Sequence, residues 1–227
     1  MTVQFVHEID RLKSLLLEQC ALVEQTLRDA VRAFGTRDPA LARRLSDAEI
    51  EIDRREVAIE EECLKILALH QPVAVDLRYV VAILKMNNDL ERMGDLAGHI
   101  GDQAILLAAE PSLPVPPELP CMADRALGMV HACLDAVVGM DAQAAREVIA
   151  ADDEVNALNR AVHRIGLETI GRQPQAAGHA MRLATVARHL ERIADHATNI
   201  AEDVLYTLEG EIVRHRGLPP GPPAVNP

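Results

Sequence analysis

Aromatic side chains are nearly absent from this 227-residue sequence, which has no Trp, two Tyr and two Phe. β-Sheets favour β-branched and aromatic residues, whereas helices favour Ala, Leu, Arg and Glu, which are abundant here. Apolar residues make up 49% of the chain, enough to bury a core and to argue against disorder of the bulk. The composition therefore favours an all-α fold.

An excess of positive charge is also missing. The chain has 23 Lys and Arg against 35 Asp and Glu, which gives a formal net charge of −12 at pH 7. Affinity for nucleic-acid phosphates and for anionic lipid headgroups comes from cations that neutralise those anions. We therefore expect no nucleic-acid partner.

Long apolar runs and paired cysteines are absent as well. No stretch approaches the roughly eighteen uncharged apolar residues that cross a bilayer, and the N-terminus has no basic region followed by an apolar run. We expect a cytoplasmic protein without a membrane span. The cysteines form no CxxC pair and have apolar neighbours, which predicts core residues in a reducing compartment. They are Cys20, Cys63, Cys121 and Cys133.

Proline and glycine divide the sequence into six helical segments. Five prolines within residues 111–120 cannot continue a helix, so this segment is the predicted linker between two domains, 1–110 and 121–212. Residues 213–227 show no periodicity and are predicted to be a disordered tail. The predicted helices are Val3–Phe34, Pro39–Leu69, Ala74–Ala109, Leu119–Gly139, Ala142–Ile170 and Gln175–Leu208.

The two halves of the chain repeat each other. Residues 90–100, LERMGDLAGHI, match residues 190–200, LERIADHATNI, at six of eleven positions. Glu51–Asp53 answers Glu154–Asn156, and Asp38 answers Asp141, so ordered matches occur in three consecutive helices. Asp38 before Pro39 is also a good helix start, because its carboxylate can accept hydrogen bonds from free backbone amides. The sequence therefore predicts two tandem three-helix bundles related by internal duplication.

Acidic residues recur on one face of the third helix of each repeat. At about 100° per residue, they lie opposite the apolar positions, which places them on the outer side of the bundle. The first acidic ladder is Glu91, Asp95, His99 and Asp102. The second acidic ladder is Glu191, Asp195, Asn199 and Glu202.

Two readings of the ladders remain open. Carboxylates spaced i, i+4 repel each other slightly, and a divalent or trivalent cation would reverse that sign. Oxygen ligands suit hard cations, and an added imidazole widens the choice to iron, zinc or manganese. Acidic residues at helical spacing are more often a solvated face, which Arg92 or Arg192 could neutralise. Recurrence of the ladder at matched positions favours the metal.

Two strings carry a resemblance to a known family. QPVAVDLRYVVAILKMNNDLERMGDLAGHI, residues 71–100, resembles the PhoU pattern of Gln-Pro, Asp-Leu-Arg and Leu-Glu-Arg-Ile-Gly-Asp. HLERIADHATNIAEDVLYTLEGEIVRH, residues 189–215, is similar to its second copy. The resemblance covers residues 3–215. Met93 and Ala194 depart from the pattern, and neither is an acidic position.

The resemblance implies a regulator and not an enzyme. Members of the PhoU family bind multinuclear metal clusters through a Glu-x-x-x-Asp motif, which here matches Glu91 with Asp95 and Glu191 with Asp195. Iron is the leading metal, with Zn, Mn or Mg as alternatives. The family negatively regulates phosphate uptake by the Pst ABC transporter and phosphate-starvation two-component signalling. The implied partners are the transporter ATPase subunit, a phosphate-sensing histidine kinase and a second copy in a homodimer.

Two other functions are alternatives to a metal-binding regulator. A carboxylate-bridged di-metal enzyme built on a helical bundle would need Glu-x-x-His motifs, and the sequence has none. A purely structural helical scaffold would leave the ladders as solvated faces.

Two expectations concern other positions of the third helix. Asp89 has no acidic counterpart in the second repeat and is predicted to be a surface charge. Leu77, Val80 and Leu84 either form an exposed apolar strip for a partner helix or are covered by neighbouring helices or a dimer.

Overall fold

The computed structural model describes residues 3–111 and 113–210. These residues fold into six α-helices and one 3₁₀ turn, Pro174–Ala176, and contain no strand. The all-α prediction is confirmed, and each helix boundary lies within about two residues of its predicted position. The helices are α1 (Val3–Thr36), α2 (Pro39–His70), α3 (Ala74–Ala108), α4 (Glu118–Gly139), α5 (Ala142–Arg172) and α6 (Ala177–Glu209).

The proline-rich linker is shorter than its composition suggests. Helix α4 begins at Glu118, so the last three residues of the predicted linker belong to the helix. Pro120 is tolerated there because the first-turn amides of a helix have no intrahelical acceptor. The predicted tail, residues 213–227, lies outside the described residues.

The turn that starts the second helix has the same form in both repeats. Asp38 accepts hydrogen bonds from the amides of Ala40 and Leu41, at 2.8 and 3.1 Å. Asp141 caps α5 in the same way. The residues before the caps, Arg37 and Met140, adopt left-handed backbone conformations with φ of 51° and 48°. The predicted cap at Asp38 is thus confirmed, and its repeat at Asp141 is built the same way.

Removing either cap should lower stability by a similar amount. An N-cap carboxylate replaced by alanine costs about 1 kcal/mol, which for a chain of this size lowers the thermal midpoint by about 2–4 °C. We expect this decrease for Asp38→Ala and for Asp141→Ala in thermal unfolding followed by circular dichroism. Asp47→Ala, at an exposed position within α2, is the control. Equal midpoints for all three variants would contradict the capping role.

Helices α3 and α6 run antiparallel at the centre of the molecule. Contacts between them join Lys85 to Asp203 near one end and the stacked rings of His99 and His189 near the other. Helices α1 and α2 cover α3, while α4 and α5 cover α6. One continuous cluster of buried apolar side chains draws members from all six helices. The two repeats therefore share one core.

Two expectations for single side chains were wrong, and one open alternative is decided. Asp89 is buried between the repeats, where His196 Nδ1 lies 2.7 Å from its Oδ1 and the Asn199 amide donates to the same atom at 3.2 Å. Val80 is fully buried, which bears out the alternative of coverage by neighbouring helices at this position, whereas Leu77 is exposed. Cys121 is exposed, whereas the other three cysteines are buried. Within the part of the chain that the structure describes, no helix is long and apolar enough to cross a membrane.

Candidate metal centre

Close packing of α2 on α3 creates the first candidate site. A Cβ atom at Gly98 would lie 2.9 Å from Glu49 Oε2, and one at Gly94 would lie 2.9 Å from Ile52 Cδ1. Real Cβ atoms do not approach other atoms this closely, so glycine at these positions lets the two helices come together. The carboxylates of α2 are thereby brought against the ladder of α3.

Three carboxylates meet in this cleft. One carboxylate oxygen each from Asp53, Glu91 and Asp95 lie within 4.8 Å of one another. Asp53 comes from α2 and the other two come from α3, so the group links two helices. We call these three residues the carboxylate triad. Oxygen atoms at this spacing can be drawn onto one cation by small side-chain rotations, because hard cations bind carboxylate oxygens at about 2–2.6 Å.

The triad is partly shielded from water and only partly neutralised. The Glu91 side chain is 18% exposed and that of Asp95 is 28% exposed. Arg92 Nη1 donates to Asp95 Oδ2 at 3.2 Å, and Arg92 Nε lies 3.3 Å from Glu91 Oε2. Glu91 Oε2 is nevertheless buried and accepts no hydrogen bond from the described residues. An ion would satisfy this oxygen, so the donor set fits a bound cation.

The electrostatics of the cleft favour positive charge. Burial, followed by the neighbouring Asp95 carboxylate, raises the pKa of Glu91 above its ordinary value. Burial, followed by the charges of Asp95 and Asp53, likewise raises the pKa of Glu49. In both cases the ionised carboxylate is disfavoured by low solvation and by like charge. A cation in the cleft would remove both penalties.

The other members of the first acidic ladder lie at the edge of this cleft. His99 and Asp102 are exposed, and both are close enough to Glu49 to affect its pKa. The His99 ring stacks on His189 of α6, with ring centroids 5.3 Å apart. The expectation of an outer, solvated face therefore holds for His99 and Asp102, but is wrong for Glu91 and Asp95, because α2 packs over them.

The second repeat has a similar but looser cleft between α5 and α6. Burial, followed by the charges of Asp152 and Glu191, raises the pKa of Asp195, although part of its side chain reaches solvent. Asp152 Oδ1 is buried without a hydrogen-bond partner among the described residues, while its Oδ2 accepts a hydrogen bond from Asn156 Nδ2 at 2.6 Å. Glu191 is half-buried.

The remaining members of the second acidic ladder differ in position. The Asn199 amide points to α3 and donates to Asp89. Glu202 is half-buried on α6, one turn further along the helix. Ala194 and Thr198 stand where the first repeat has Gly94 and Gly98. No set of acidic residues in the described parts of this cleft is as closely grouped as the carboxylate triad.

The second helix of each repeat contributes oxygen ligands that the acidic ladder of the third helix does not predict. Glu49 and Asp53 on α2 form their own Glu-x-x-x-Asp pair, and Asp152 and Asn156 stand at the same spacing on α5. In the sequence these pairs are visible as oxygen ligands spaced i, i+4 that recur at an offset of 103 residues. The match of Glu51–Asp53 to Glu154–Asn156 indicated only the repeat.

The sequence matches the PhoU domain over residues 7–104 and 119–204, one match for each repeat. The chain belongs to the PhoU family. These two matches span the first cleft and the second cleft and leave out the linker between α3 and α4.

Members of the PhoU family from other bacteria match nearly the whole chain. The phosphate-specific transport system accessory protein PhoU homolog of Pseudomonas putida is 37% identical over 95% of this chain and 84% of its own length. Its counterpart in Aquifex aeolicus is 38% identical over 93% of this chain and 96% of its own length.

Solved PhoU structures share the fold. PhoU from Pseudomonas aeruginosa superposes with a TM-score of 0.89 at 36% identity, covering 91% of this chain and all of the other. The phosphate transport system regulatory protein PhoU from Streptococcus pneumoniae gives a TM-score of 0.86 at 28% identity, over 92% of this chain and 99% of the other.

Proposed function

We propose that this protein is a cytoplasmic, metal-binding regulatory accessory protein of phosphate-specific transport. The carboxylate triad is the observation that carries the metal assignment, because three carboxylates within 4.8 Å repel one another unless a cation joins them. The regulatory assignment rests on the names of the relatives, which describe accessory and regulatory proteins of phosphate transport.

The donor set narrows the choice of metal. Glu49 and the carboxylate triad supply only oxygen ligands to the first cleft, which suits iron, manganese or magnesium better than zinc. Four carboxylates from two helices can bridge more than one ion, which is compatible with a multinuclear cluster. Iron is the leading metal because of the resemblance to the family. Glu191, Asp195 and Asp152 would hold metal in the second cleft.

Metal in these clefts would hold the second and third helices of a repeat together. A cation bound by Asp53 and Glu91 links α2 to α3 and makes the surface above the cleft part of one rigid unit. We propose that this surface meets the transporter ATPase subunit and the phosphate-sensing histidine kinase, with the protein acting as a homodimer. Negative regulation of uptake and of starvation signalling would follow from these contacts.

The test is deletion of the gene followed by complementation. Deletion should raise the expression of phosphate-starvation genes when phosphate is plentiful, and the wild-type gene should restore repression. The triple variant Asp53→Asn, Glu91→Gln and Asp95→Asn should accumulate normally but fail to repress. Glu61→Gln, at an exposed acid of α2 outside the cleft, is the matched control and should repress fully.

Two outcomes would contradict parts of the proposal separately. Unchanged starvation-gene expression after deletion would contradict the regulatory role. Full repression by the triple variant would show that the triad, and hence metal in the first cleft, is dispensable for regulation.

A further inference from the structure

The two repeats differ at the start of their first helices. Helix α1 has 34 residues and α4 has 22. Both helices end just before an aspartate cap, Asp38 in the first repeat and Asp141 in the second. The first three turns of α1 therefore have no counterpart in α4. In the first repeat these turns cover the end of α2. The Phe5 ring packs edge-on against His70 at 5.2 Å, and Glu8 Oε2 lies 2.7 Å from His70 Nε2.

In the second repeat the proline-rich linker takes the place of those turns and does not fill the space. A pocket of about 510 Å³ remains between residues 113–118, α5 and the start of α6. We call it the linker pocket. Four of the side chains that line it are smaller than their equivalents in the first repeat, at offsets of 103 residues for α5 and 100 for α6. The changes from first to second repeat are Ile59 to Val162, Cys63 to Gly166, Ile66 to Thr169 and Val80 to Ala180.

A buried histidine stands in the wall of the linker pocket. His179 is 6% exposed and occupies the position of Tyr79 in the first repeat. Within residues 3–111 and 113–210 neither ring nitrogen has a hydrogen-bond partner. The closest carboxylate oxygen, Oε2 of Glu110, is 3.9 Å from Nδ1, and Glu110 is already bonded to Arg182 at 2.6 Å. Polar atoms buried in this way are costly unless a ligand or water satisfies them.

A second unsatisfied polar atom lines the same pocket. Glu118 Oε2 is buried and accepts no hydrogen bond from the described residues. Its position at the start of α4 fixes it at the edge of the linker. A buried carboxylate oxygen favours a ligand that donates a hydrogen bond and disfavours a ligand with negative charge.

The neutral form of the His179 imidazole is favoured in this pocket. Burial, followed by the positive charge of Arg37, lowers the pKa of His179. The negative charge of Glu110 and the backbone of Pro114 oppose this shift. The neutral ring has one nitrogen that donates and one that accepts. The ring therefore suits a hydroxyl or amide group, which can both accept a hydrogen bond and donate one.

We propose that the linker pocket binds a small uncharged organic molecule that places a hydroxyl or amide group against His179 and an apolar body against Val162, Ile165 and Leu183. The volume lies within the range of about 300–1,000 Å³ that small-molecule sites occupy, and apolar walls with few polar groups are their usual composition. The site is separate from the acidic clefts and does not depend on the metal assignment.

The test uses 1-naphthol as the probe and naphthalene as its counterpart without a hydroxyl. Calorimetric titration of the full chain should show saturable one-to-one binding of 1-naphthol, about three- to tenfold tighter than naphthalene, since a hydrogen bond contributes about that much. Replacing the ring nitrogens in His179→Phe should remove the difference between the two probes while naphthalene still binds.

Filling the pocket should remove binding of both probes. Gly166→Leu has room on the pocket side, because the nearest atoms to a Cβ at Gly166 are 3.9 and 4.0 Å away in Ala180. We expect its affinity for 1-naphthol to fall about tenfold or more. Gly171→Leu, on the same helix with no atom within 4 Å of its Cβ, is the matched control and should bind as the wild type does.

Ala180→Val, which restores the residue of the first repeat, is the milder filling variant if Gly166→Leu does not fold. No saturable binding of 1-naphthol by the wild type would overturn the proposal. Wild-type affinity in a folded Gly166→Leu or Ala180→Val variant would overturn it equally, since the probe would then lie elsewhere.

Discussion

Excess Mn²⁺ or anaerobic Fe²⁺ should raise the thermal midpoint of the metal-free protein by about 5–10 °C. At a free metal concentration about 100-fold above the Kd, binding to the native state alone adds about 2.7 kcal/mol to the free energy of unfolding. For a chain of about 200 residues, each kcal/mol corresponds to about 2–4 °C. Differential scanning calorimetry with and without metal measures the shift.

The contribution of the first cleft to this shift should disappear when the carboxylate triad is neutralised. The triple variant Asp53→Asn, Glu91→Gln and Asp95→Asn keeps the size of the side chains and removes their charge. We expect a residual shift only from the second cleft. A variant with three exposed acids of α2 neutralised, namely Asp47→Asn, Glu60→Gln and Glu61→Gln, should keep the full shift. An unchanged wild-type midpoint with manganese, iron, magnesium and zinc in turn would contradict metal binding.

Neutralising Glu91 alone should change the pH dependence of stability in the absence of metal. The raised pKa of Glu91 means that the native state binds this proton more tightly than the unfolded state. Ionised Glu91 therefore lowers the free energy of unfolding, and the loss is complete at neutral pH. The loss becomes smaller as pH falls through the raised pKa towards the ordinary value of 4.5. Glu91→Gln should be more stable than the wild type at pH 7, and the gap should close towards pH 4.5.

Lys85→Met should lower the free energy of unfolding by about 2–3 kcal/mol. Lys85 Nζ forms a salt bridge with Asp203, whose side chain is 2% exposed. The ammonium group also lies 5.6 Å from the centroid of the Tyr206 ring. Removing one partner of a buried pair costs about 3–5 kcal/mol, and exposure of 37% of the Lys85 side chain reduces that figure here. Urea unfolding of the variant measures the loss.

A second substitution should restore most of that stability. Asp203→Leu in the Lys85→Met background removes the buried charge and leaves an apolar contact between α3 and α6. Arg164→Met breaks an exposed pair with Glu168 on α5 and is the control, with an expected change below about 0.5 kcal/mol. If the double variant were no more stable than Lys85→Met, the charge of Asp203 would not be the cause of the loss.

Local signals predicted the elements of this fold well. The helix ends follow from proline, from the aspartate caps and from apolar periodicity, all of which act within a few residues. The Asp38 cap illustrates this, because its hydrogen bonds reach only Ala40 and Leu41. The duplication was visible for the same reason, since it repeats these local patterns in order.

Neighbours from other helices could not be predicted in the same way. Helical periodicity places Glu91 and Asp95 on one face of α3, but does not say which helix covers that face. The approach of α2 depends on Gly94 and Gly98, whose missing side chains leave room for Ile52 and Glu49. The sequence pattern of α3 alone therefore does not predict that Asp53 belongs to the site. Asp89 was misplaced for the same reason, because α6 covers it.

The antiparallel crossing of α3 and α6 has a consequence for the two sides of the interface between the repeats. The rotation that exchanges the repeats carries the Asp89–Asn199 contact onto the His189–His99 contact. Two identical single-repeat chains crossing in this way would have the same contact on both sides of the crossing. Fusion of the repeats into one chain lifts that constraint, so one side holds a carboxylate with an amide and the other holds two stacked imidazoles. The interface is therefore asymmetric, although the helices that form it are copies of one another.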